Sequence, residues 1–485
     1  MNAKELIKNL PDYQCQQNLD MLNIKHIEMD HRLLKENSLF VCIKGYTVDG
    51  HQFAEAAVEN GATVIVAEKE LDVSVPVVIV PDTSRALAHL ANNFYDHPSS
   101  KLKVIGVTGT NGKTSVTNII DEIHHYAKQK TAIIGTIQMV IDGESHPVKN
   151  TTPDSLFLQK NLHQMVEKKI DVATMEVSSH ALDLGRVHGV DFDIAVFTNL
   201  SQDHLDYHQT MENYLFAKSL LFSQLGNTLK HERPKYAVIN QDDEHAEFLN
   251  RVTAQPVLTY GVQNKASFQA VNVELMANGV SFIMKTPKGN VPIKSKLMGM
   301  FSVYNLLAAA TAAYASGIEL DIIQHVLNNT TGVKGRFQPV EHKQDFGVII
   351  DYAHTPDSLE NVLSTIKRFC AGNIRVVVGC GGDRDRRKRP LMAEVACQYA
   401  DQAIFTSDNP RSESSQAIID DMVEGLKHNN YQTILDREEA IKQAIEQAND
   451  KDVVLIAGKG HETYQIVGDK VLDFDDEQVA IKYLN

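Results

Sequence analysis

The 485-residue chain has no tryptophan, and its five cysteines (Cys15, Cys42, Cys370, Cys380 and Cys397) include no CxxC pair. An odd, scattered set of thiols argues against a disulfide scaffold or a cysteine-based zinc site and fits a reducing compartment, the cytoplasm. Positive charge is also scarce: 47 Lys and Arg stand against 62 Asp and Glu, a formal net charge of −15. A large nucleic-acid surface is therefore not expected, although a local basic pocket for small anions is compatible with that total. Long apolar runs are missing as well. Leu306–Ala315 falls far short of the roughly 20 residues that span a bilayer, and Lys4, Glu5, Lys8 and Asp12 interrupt the start of the chain where a signal core would lie. A soluble globular protein without a membrane partner remains, too long for one core, with about three domains expected.

The most informative stretch is Val104–Ser115, VIGVTGTNGKTS. An apolar run breaks into a glycine-rich turn that ends in a lysine and hydroxyl side chains. Between a strand and a helix, such a turn aims backbone N–H groups at a phosphate chain, the lysine at the outer phosphates and the hydroxyl at Mg²⁺. The spacing departs from the common phosphate loop, because Val107 stands where the first glycine is expected and Gly109 follows two residues later.

Domain boundaries are expected near residues 102 and 333, with HPSSKLK (His97–Lys103) as a linker. Residues 1–102 read as a small α/β unit with strands at Ser38–Ile43, Thr63–Ala67 and Val75–Val80. From 103 to 333, strands at Leu102–Val107, Thr131–Ile137, Asp171–Glu176, Asp193–Thr198 and Tyr236–Asn240 alternate with helical patterns, which predicts a mainly parallel sheet. Ala270–Thr286 suggests a hairpin insertion, and a helix at Val303–Ala315 is expected to close the unit. In 334–485 four apolar runs each end in a polar motif: DYAHTPD, GCGGDRDRRKRP, TSDNPR and AGKGHE. Ligands of doubly wound sheets bind beyond the carboxyl ends of the strands, so these motifs should line one rim.

A phosphate loop needs a carboxylate near its metal, and Glu176 at the end of an apolar run qualifies. Asp203, His204, Asp206 and His208 crowd the loop that follows Phe197, where a metal site and a polar surface loop are equally compatible with the spacing. Lys218 in YLFAKSLLF has apolar neighbours on several sides, and spacing alone favours a snorkelling lysine.

Taken in order, TGTNGKTS, NTTPDSL, MEVSSHAL, TNLSQDHLDYH, FAKSLLF, DYAHTPD, GCGGDRDRRKRP, SDNPR and GKGHETYQ resemble the Mur ligases, the ATP-dependent amino-acid-adding enzymes of peptidoglycan synthesis. The resemblance implies a UDP-binding N-terminal domain, a central P-loop ATPase domain and a Rossmann-like C-terminal domain. It implies ATP on Gly109, Thr110, Asn111, Gly112, Lys113 and Thr114, with Asn305, Arg336 and Asp351 holding base, phosphate and ribose. Mg²⁺ would be held by Thr114, Glu176, His204 and Lys218, the last as a carbamate. Lys113, Glu176, His204 and Lys218 would be the catalytic set. The UDP-sugar peptide would touch Arg32, Tyr46, Thr47, Val48, Thr151, Thr152, Ser178 and Arg186. Two departures from the family stand out: His31 replaces a hydroxyl residue in Asp30-His31-Arg32, and Ser302 replaces an asparagine in Phe301-Ser302-x-x-Asn305.

Within the family, the DNPR sequence implies meso-diaminopimelate as the amino acid added. Its far carboxylate distinguishes it from L-lysine, and the Arg411 guanidinium is a natural receptor for that group. Arg384, Asp408, Asn409, Pro410, Gly458 and Glu462 would complete the pocket. The implied reaction phosphorylates the D-glutamate γ-carboxylate of UDP-N-acetylmuramoyl-L-alanyl-D-glutamate and couples the acyl phosphate to the amine. Such an enzyme is expected to work as a monomer on small-molecule substrates. An L-lysine ligase of the same step, a folylpolyglutamate-synthetase-like ligase and a nucleotide or UDP-sugar switch stay open as alternatives.

Overall fold

The computed structural model describes every residue except 46–47, 149, 227–232, 277–278, 341–343 and 485. Among the described residues the strands form three larger sheets and a two-stranded hairpin. The first sheet has β1 (His26–Glu28), β2 (Ser38–Val41), β3 (Ala62–Ala67) and β4 (Val77–Ile79) in sequential parallel order. Its inner strands are apolar on both faces because helices cover both. Leu39, Val41, Val64 and Val66 meet Leu6, Leu87 and Leu90, while Phe40, Ile65 and Ala67 meet Ala54 and Ala57 on the other side.

The central sheet begins with β5 (Lys103–Thr108), β6 (Thr131–Ile134), β7 (Met139–Ile141), β8 (Glu144–His146), β9 (Val172–Glu176) and β10 (Ile194–Phe197). It continues with β11 (Tyr236–Asn240), β12 (Val257–Gly261), β13 (Phe268–Met276), β14 (Gly279–Thr286) and β15 (Gly289–Ser295). The spatial order is β15-β14-β13-β12-β11-β10-β5-β9-β6-β7-β8, parallel in the middle and antiparallel at both edges. The expected hairpin exists, but it is no insertion, because β13 continues the sheet in parallel with β12. Nor does the helix Met300–Ala315 close the unit. Leu320–Asn329 follows and binds the β15 edge, where Asn328 Oδ1 accepts from Lys294 N at 2.8 Å and Gln324 donates to Pro292 O at 2.7 Å.

Register positions the chemistry. Glu176 lies opposite Val107 and Phe197 opposite Thr108, so the chain leaves β5, β9 and β10 at one level. Val107 is buried within β5, which explains the late glycine: the strand runs two residues further, to Thr108, before it turns.

The third sheet comprises β16 (Gln338–Pro339), β17 (Gly347–Asp351), β18 (Ile374–Val378), β19 (Gln402–Phe405), β20 (Tyr431–Thr433) and β21 (Val453–Ala457). Its order is β16-β17-β21-β18-β19-β20, and all pairs but the first are parallel. Ala457 pairs with both Asp351 and Val378, and Val378 with Phe405, so the four polar motifs emerge side by side. The hairpin of β22 (Tyr464–Val467) and β23 (Lys470–Asp473) attaches to this rim through the bridge of Arg411 with Val467. No helix among the described residues is long and apolar enough to cross a membrane.

Candidate active site

The glycine-rich turn is bound to the loop that leaves β10. Thr110 N donates to Asn199 O at 2.8 Å and Asn111 N to Asn199 Oδ1 at 2.9 Å, while Thr198 Oγ1 donates to Asn111 O at 2.6 Å. Two positions require glycine. At φ +147° a Cβ on residue 109 would sit 1.9 Å from Thr198 Oγ1, and at φ +87° one on residue 112 would sit 2.5 Å from Asn305 Oδ1. Asn305 thus lies directly beneath the turn. Lys113 opens the following helix, and its ammonium donates to Gly109 O (2.9 Å) and Thr110 O (2.8 Å). Burial pushes its pKa down, only partly countered by Glu176 and Asp203.

Glu176 is fully buried at the end of β9 and accepts from Thr114 Oγ1 (3.0 Å), Thr136 N (2.8 Å) and Thr136 Oγ1 (3.0 Å). Beside it, Thr136 Oγ1 meets Thr151 Oγ1 at 3.1 Å and Thr152 Oγ1 donates to Glu176 O at 2.9 Å. Ser178 N donates to Thr152 Oγ1 at 3.0 Å, and Arg186 reaches Thr152 O at 3.2 Å. Four residues expected to touch one substrate (Thr151, Thr152, Ser178 and Arg186) therefore form one polar strip leading to the phosphate turn.

Lys218 does not snorkel. The helix Met211–Ser223 turns it inward, 1% exposed, where Nζ donates to Gly109 O at 2.8 Å and lies 4.4 Å from the Tyr214 ring centre. Desolvation, reinforced by Lys113, holds its pKa well below the ordinary lysine value. The nearby His204 sits in the left-handed region at φ +55°, 3.5 Å from Asp203 and edge-on to the His180 ring. Burial and the neighbouring His180 and Lys218 lower its pKa despite Asp203. His208, by contrast, is buried against Ser179 Oγ at 2.9 Å and belongs to the packing. Among the described residues no three His, Cys, Asp or Glu side chains form a ready-made metal cage.

The third sheet's rim closes over the turn. Arg336 Nη2 donates to Thr114 Oγ1 at 3.2 Å, and its guanidinium lies 4.6 Å from the Tyr352 ring centre. Asp351 is buried and accepts from Phe337 N at 2.6 Å; burial lifts its pKa to about 6 against the pull of Arg336. Asp357 Oδ2 accepts from Asn111 Nδ2 (2.7 Å) and Ser201 Oγ (3.0 Å), a second link between the two units. Elsewhere on the rim, Asn409 Nδ2 donates to Glu462 Oε2 at 2.8 Å, and Arg411 Nη1 donates to Gly382 O at 2.7 Å. Asp408 Oδ1 caps Asn409 N at 2.6 Å, Pro410 O accepts from Glu413 N at 3.0 Å, and Gly458 N donates to Asp351 O at 3.0 Å. Arg384 lies at the same turn, its Nη1 on Asp383 O at 3.1 Å.

The segments that carry the glycine-rich turn, the buried carboxylate, the inward lysine and the facing rim match a known family. The model of the Mur ligase middle domain covers residues 107–313, that of the Mur ligase glutamate ligase domain 335–460, and that of the Mur ligase family catalytic domain 23–95. A UDP-N-acetylmuramoyl-L-alanyl-D-glutamate–2,6-diaminopimelate ligase of Oceanobacillus iheyensis is 54% identical over 484 residues, 99% of this chain and 98% of that protein. The chain belongs to the Mur ligase family. A protein of the same name from Bacillus velezensis is 55% identical over 480 residues, 99% of this chain and 98% of its own. A solved structure, also titled a UDP-N-acetylmuramoyl-L-alanyl-D-glutamate–2,6-diaminopimelate ligase, superposes with TM-score 0.72 at 35% identity, over 100% of this chain and 98% of its own.

The residues expected at the uridine are not brought together among the described residues. Tyr46 and Thr47 lie outside the described residues, Val48 is exposed with its carbonyl on Gly45 N, and Arg32 is folded back onto Asp30 at 2.7 Å. His31 stacks on Phe53 at 4.4 Å between ring centres. Several residues with direct contacts to the site escaped the sequence reading. Thr136 follows β6 just as Glu176 ends β9, so the same carboxyl-end logic would have found it; Ser201, Asp357 and Lys459 lie inside motifs already noted, beside the residues singled out.

Proposed function

We propose that this chain is the ATP-dependent ligase that joins meso-diaminopimelate to the D-glutamate γ-carboxylate of UDP-N-acetylmuramoyl-L-alanyl-D-glutamate, the activity for which its relatives are named. The observation that carries this reading is the contact of Arg336 with Thr114: the rim that also bears Arg411 and Glu462 reaches the glycine-rich turn.

A divalent cation fits the turn, because the Thr114 hydroxyl and the buried Glu176 carboxylate are the hard oxygen donors that Mg²⁺ prefers. Thr114, Glu176, His204 and a carbamylated Lys218 would hold it. When bound, the ion offsets charge on the transferring phosphoryl group. Lys218 as an ammonium is a donor and no ligand. Its lowered pKa favours the neutral form, whose nitrogen attacks CO2; an N–C bond forms, a proton leaves to solvent, and an anionic carbamate results.

ATP lies along residues 109–114, with Lys113 Nζ exchanging its two carbonyl partners for phosphate oxygens. Arg336 and Asp351 hold the nucleotide from the opposite side, and Asn305 supports the turn. The strip of Thr151, Thr152, Ser178 and Arg186 aligns the γ-carboxylate for attack on the γ-phosphorus. ADP departs, the diaminopimelate amine adds to the acyl phosphate, and the tetrahedral intermediate expels phosphate and loses a proton. Arg411 and Arg384 face the amino acid's carboxylates, Asp408 and Glu462 its amines, within a frame set by Asn409, Pro410 and Gly458. Closure of the rim excludes water that would hydrolyse the acyl phosphate.

The test is phosphate release and product mass with ATP, Mg²⁺ and the UDP-dipeptide, offering meso-diaminopimelate and L-lysine separately. Turnover with diaminopimelate alone is expected. Turnover with L-lysine alone would retain the ligase and overturn the role of Arg411; turnover with neither would overturn the ligase reading.

A further inference from the structure

A fully buried ammonium lies behind the rim, and the mechanism above does not use it. Lys459, between the glycines of AGKGHE, is 0% exposed. Its Nζ lies 3.1 Å from Glu462 Oε2, 3.3 Å from Asn409 Oδ1 and 5.5 Å from the Tyr464 ring centre. Removing an ammonium from water costs several kcal/mol, so a buried lysine persists only where geometry returns much of that cost.

Here the geometry determines the orientation of two side chains. Asn409 Oδ1 accepts from Lys459 and from Ile466 N at 2.9 Å, while its Nδ2 donates to Glu462, which fixes which way the amide faces. Glu462 Oε2 is engaged by both Lys459 and Asn409, and among the described residues no hydrogen bond occupies Oε1. The β22 strand completes the frame: Gln465 Nε2 donates to Asp408 O at 2.7 Å and Arg411 N to Ile466 O at 3.1 Å. Lys459 thus cross-links DNPR to GKGHE, two motifs that β18 separates in the sheet.

We infer that Lys459 is a positioning residue for acceptor specificity: it holds Glu462 and Asn409 in the pose that receives an ammonium group of the incoming diamino acid. This rests on the third-sheet rim being the amino-acid site. Lys459 touches no reacting atom, so its loss should affect capture of the amino acid and spare nucleotide binding.

Steady-state kinetics of the full chain test this, using whichever diamino acid the wild type accepts, with thermal unfolding as a check on folding. Lys459→Met is expected to raise KM for the amino acid about tenfold or more while KM for ATP stays within about twofold. Lys459→Gln, which keeps one donor for Asn409, should fall between Met and wild type. An amino-acid KM within about twofold of wild type in folded Lys459→Met, or a parallel rise in both KM values, would overturn the inference.

Should Lys459→Met fail to fold, the Glu462→Gln background relieves the unpaired carboxylate. Positioning predicts that adding Lys459→Met to Glu462→Gln raises the amino-acid KM little further, whereas a fully additive loss overturns it. A wild type inactive with every diamino acid would instead refute the ligase reading itself, before any variant is made.

Discussion

Two parallel-sheet rims face each other in this molecule, and they treat basic side chains withdrawn from water in opposite ways. On the central rim, the half-buried Lys113 and the buried Lys218 donate hydrogen bonds to the carbonyls of Gly109 and Thr110, and among the described residues neither forms an ion pair with a carboxylate. On the third rim each buried cation has a carboxylate partner: Lys459 with Glu462, Arg437 with Asp476 at 2.7 Å, and Arg389 with Glu413 at 2.7 Å and Asp421 at 2.6 Å. Arg437 also ties the rim together, donating to Ala457 O at 3.0 Å and Ser407 O at 3.4 Å. A basic group taken out of water without a carboxylate bears its desolvation cost uncompensated, which at Lys113 suits a site for triphosphate and at Lys218 favours the neutral amine. A paired one spends its charge on architecture.

The contrast can be broken most directly at Lys218. Both Lys218→Ala and Lys218→Arg are expected to reduce kcat by about 100-fold or more, since neither can carry a carbamate; unchanged phosphate release in either variant would remove that role. Stability should then separate the two rims. Arg437→Ala leaves Asp476 buried and unpaired and should cost about 3–5 kcal/mol in denaturant unfolding. Lys113→Met removes a desolvated charge with no carboxylate partner, so the ligand-free midpoint should hold or rise while ATP turnover disappears. Equal destabilisation of both would erase the distinction.

The smallest effect concerns Asp351, a rim carboxylate whose pKa burial lifts to about 6. A folded pKa above the unfolded value means that its contribution to stability is complete below about pH 4 and is lost as pH rises through about 6. Asp351→Asn should therefore gain on the wild type between pH 4 and pH 7, by no more than about 3 kcal/mol for a shift near two units. A constant difference across that range would show that burial does not control this carboxyl.

Much of the fold was legible in the chain. Fully buried parallel strands carry unbroken β-branched runs, so β5, β9, β10 and β11 fall within a residue or two of expectation, and the four apolar runs before the polar motifs of 334–485 are strands of the third sheet. Edge elements were harder to read. The β7–β8 and β22–β23 hairpins are short and partly exposed, with little apolar patterning to reveal them, and β12 to β15, each paired with its neighbour in sequence, extend the main sheet where alternation alone suggested a separate hairpin. Lys218 marks the same limit within the site. Its helix is apolar on nearly every side, so periodicity could not tell inward from outward.

By itself the sequence determined the element types, the strand-end positions of the chemical groups and, through the order of its motifs, the family. Those features are local, set by the polarity and backbone freedom of successive residues. Only the tertiary structure decided which strand ends share a level, that Lys218 points at Gly109 instead of solvent, and that Asp357 and Arg336 reach across to the phosphate turn. It also decided which buried cations meet a carboxylate. Such partnerships depend on register and packing between segments up to 246 positions apart, and no local pattern of side chains encodes a contact over that distance.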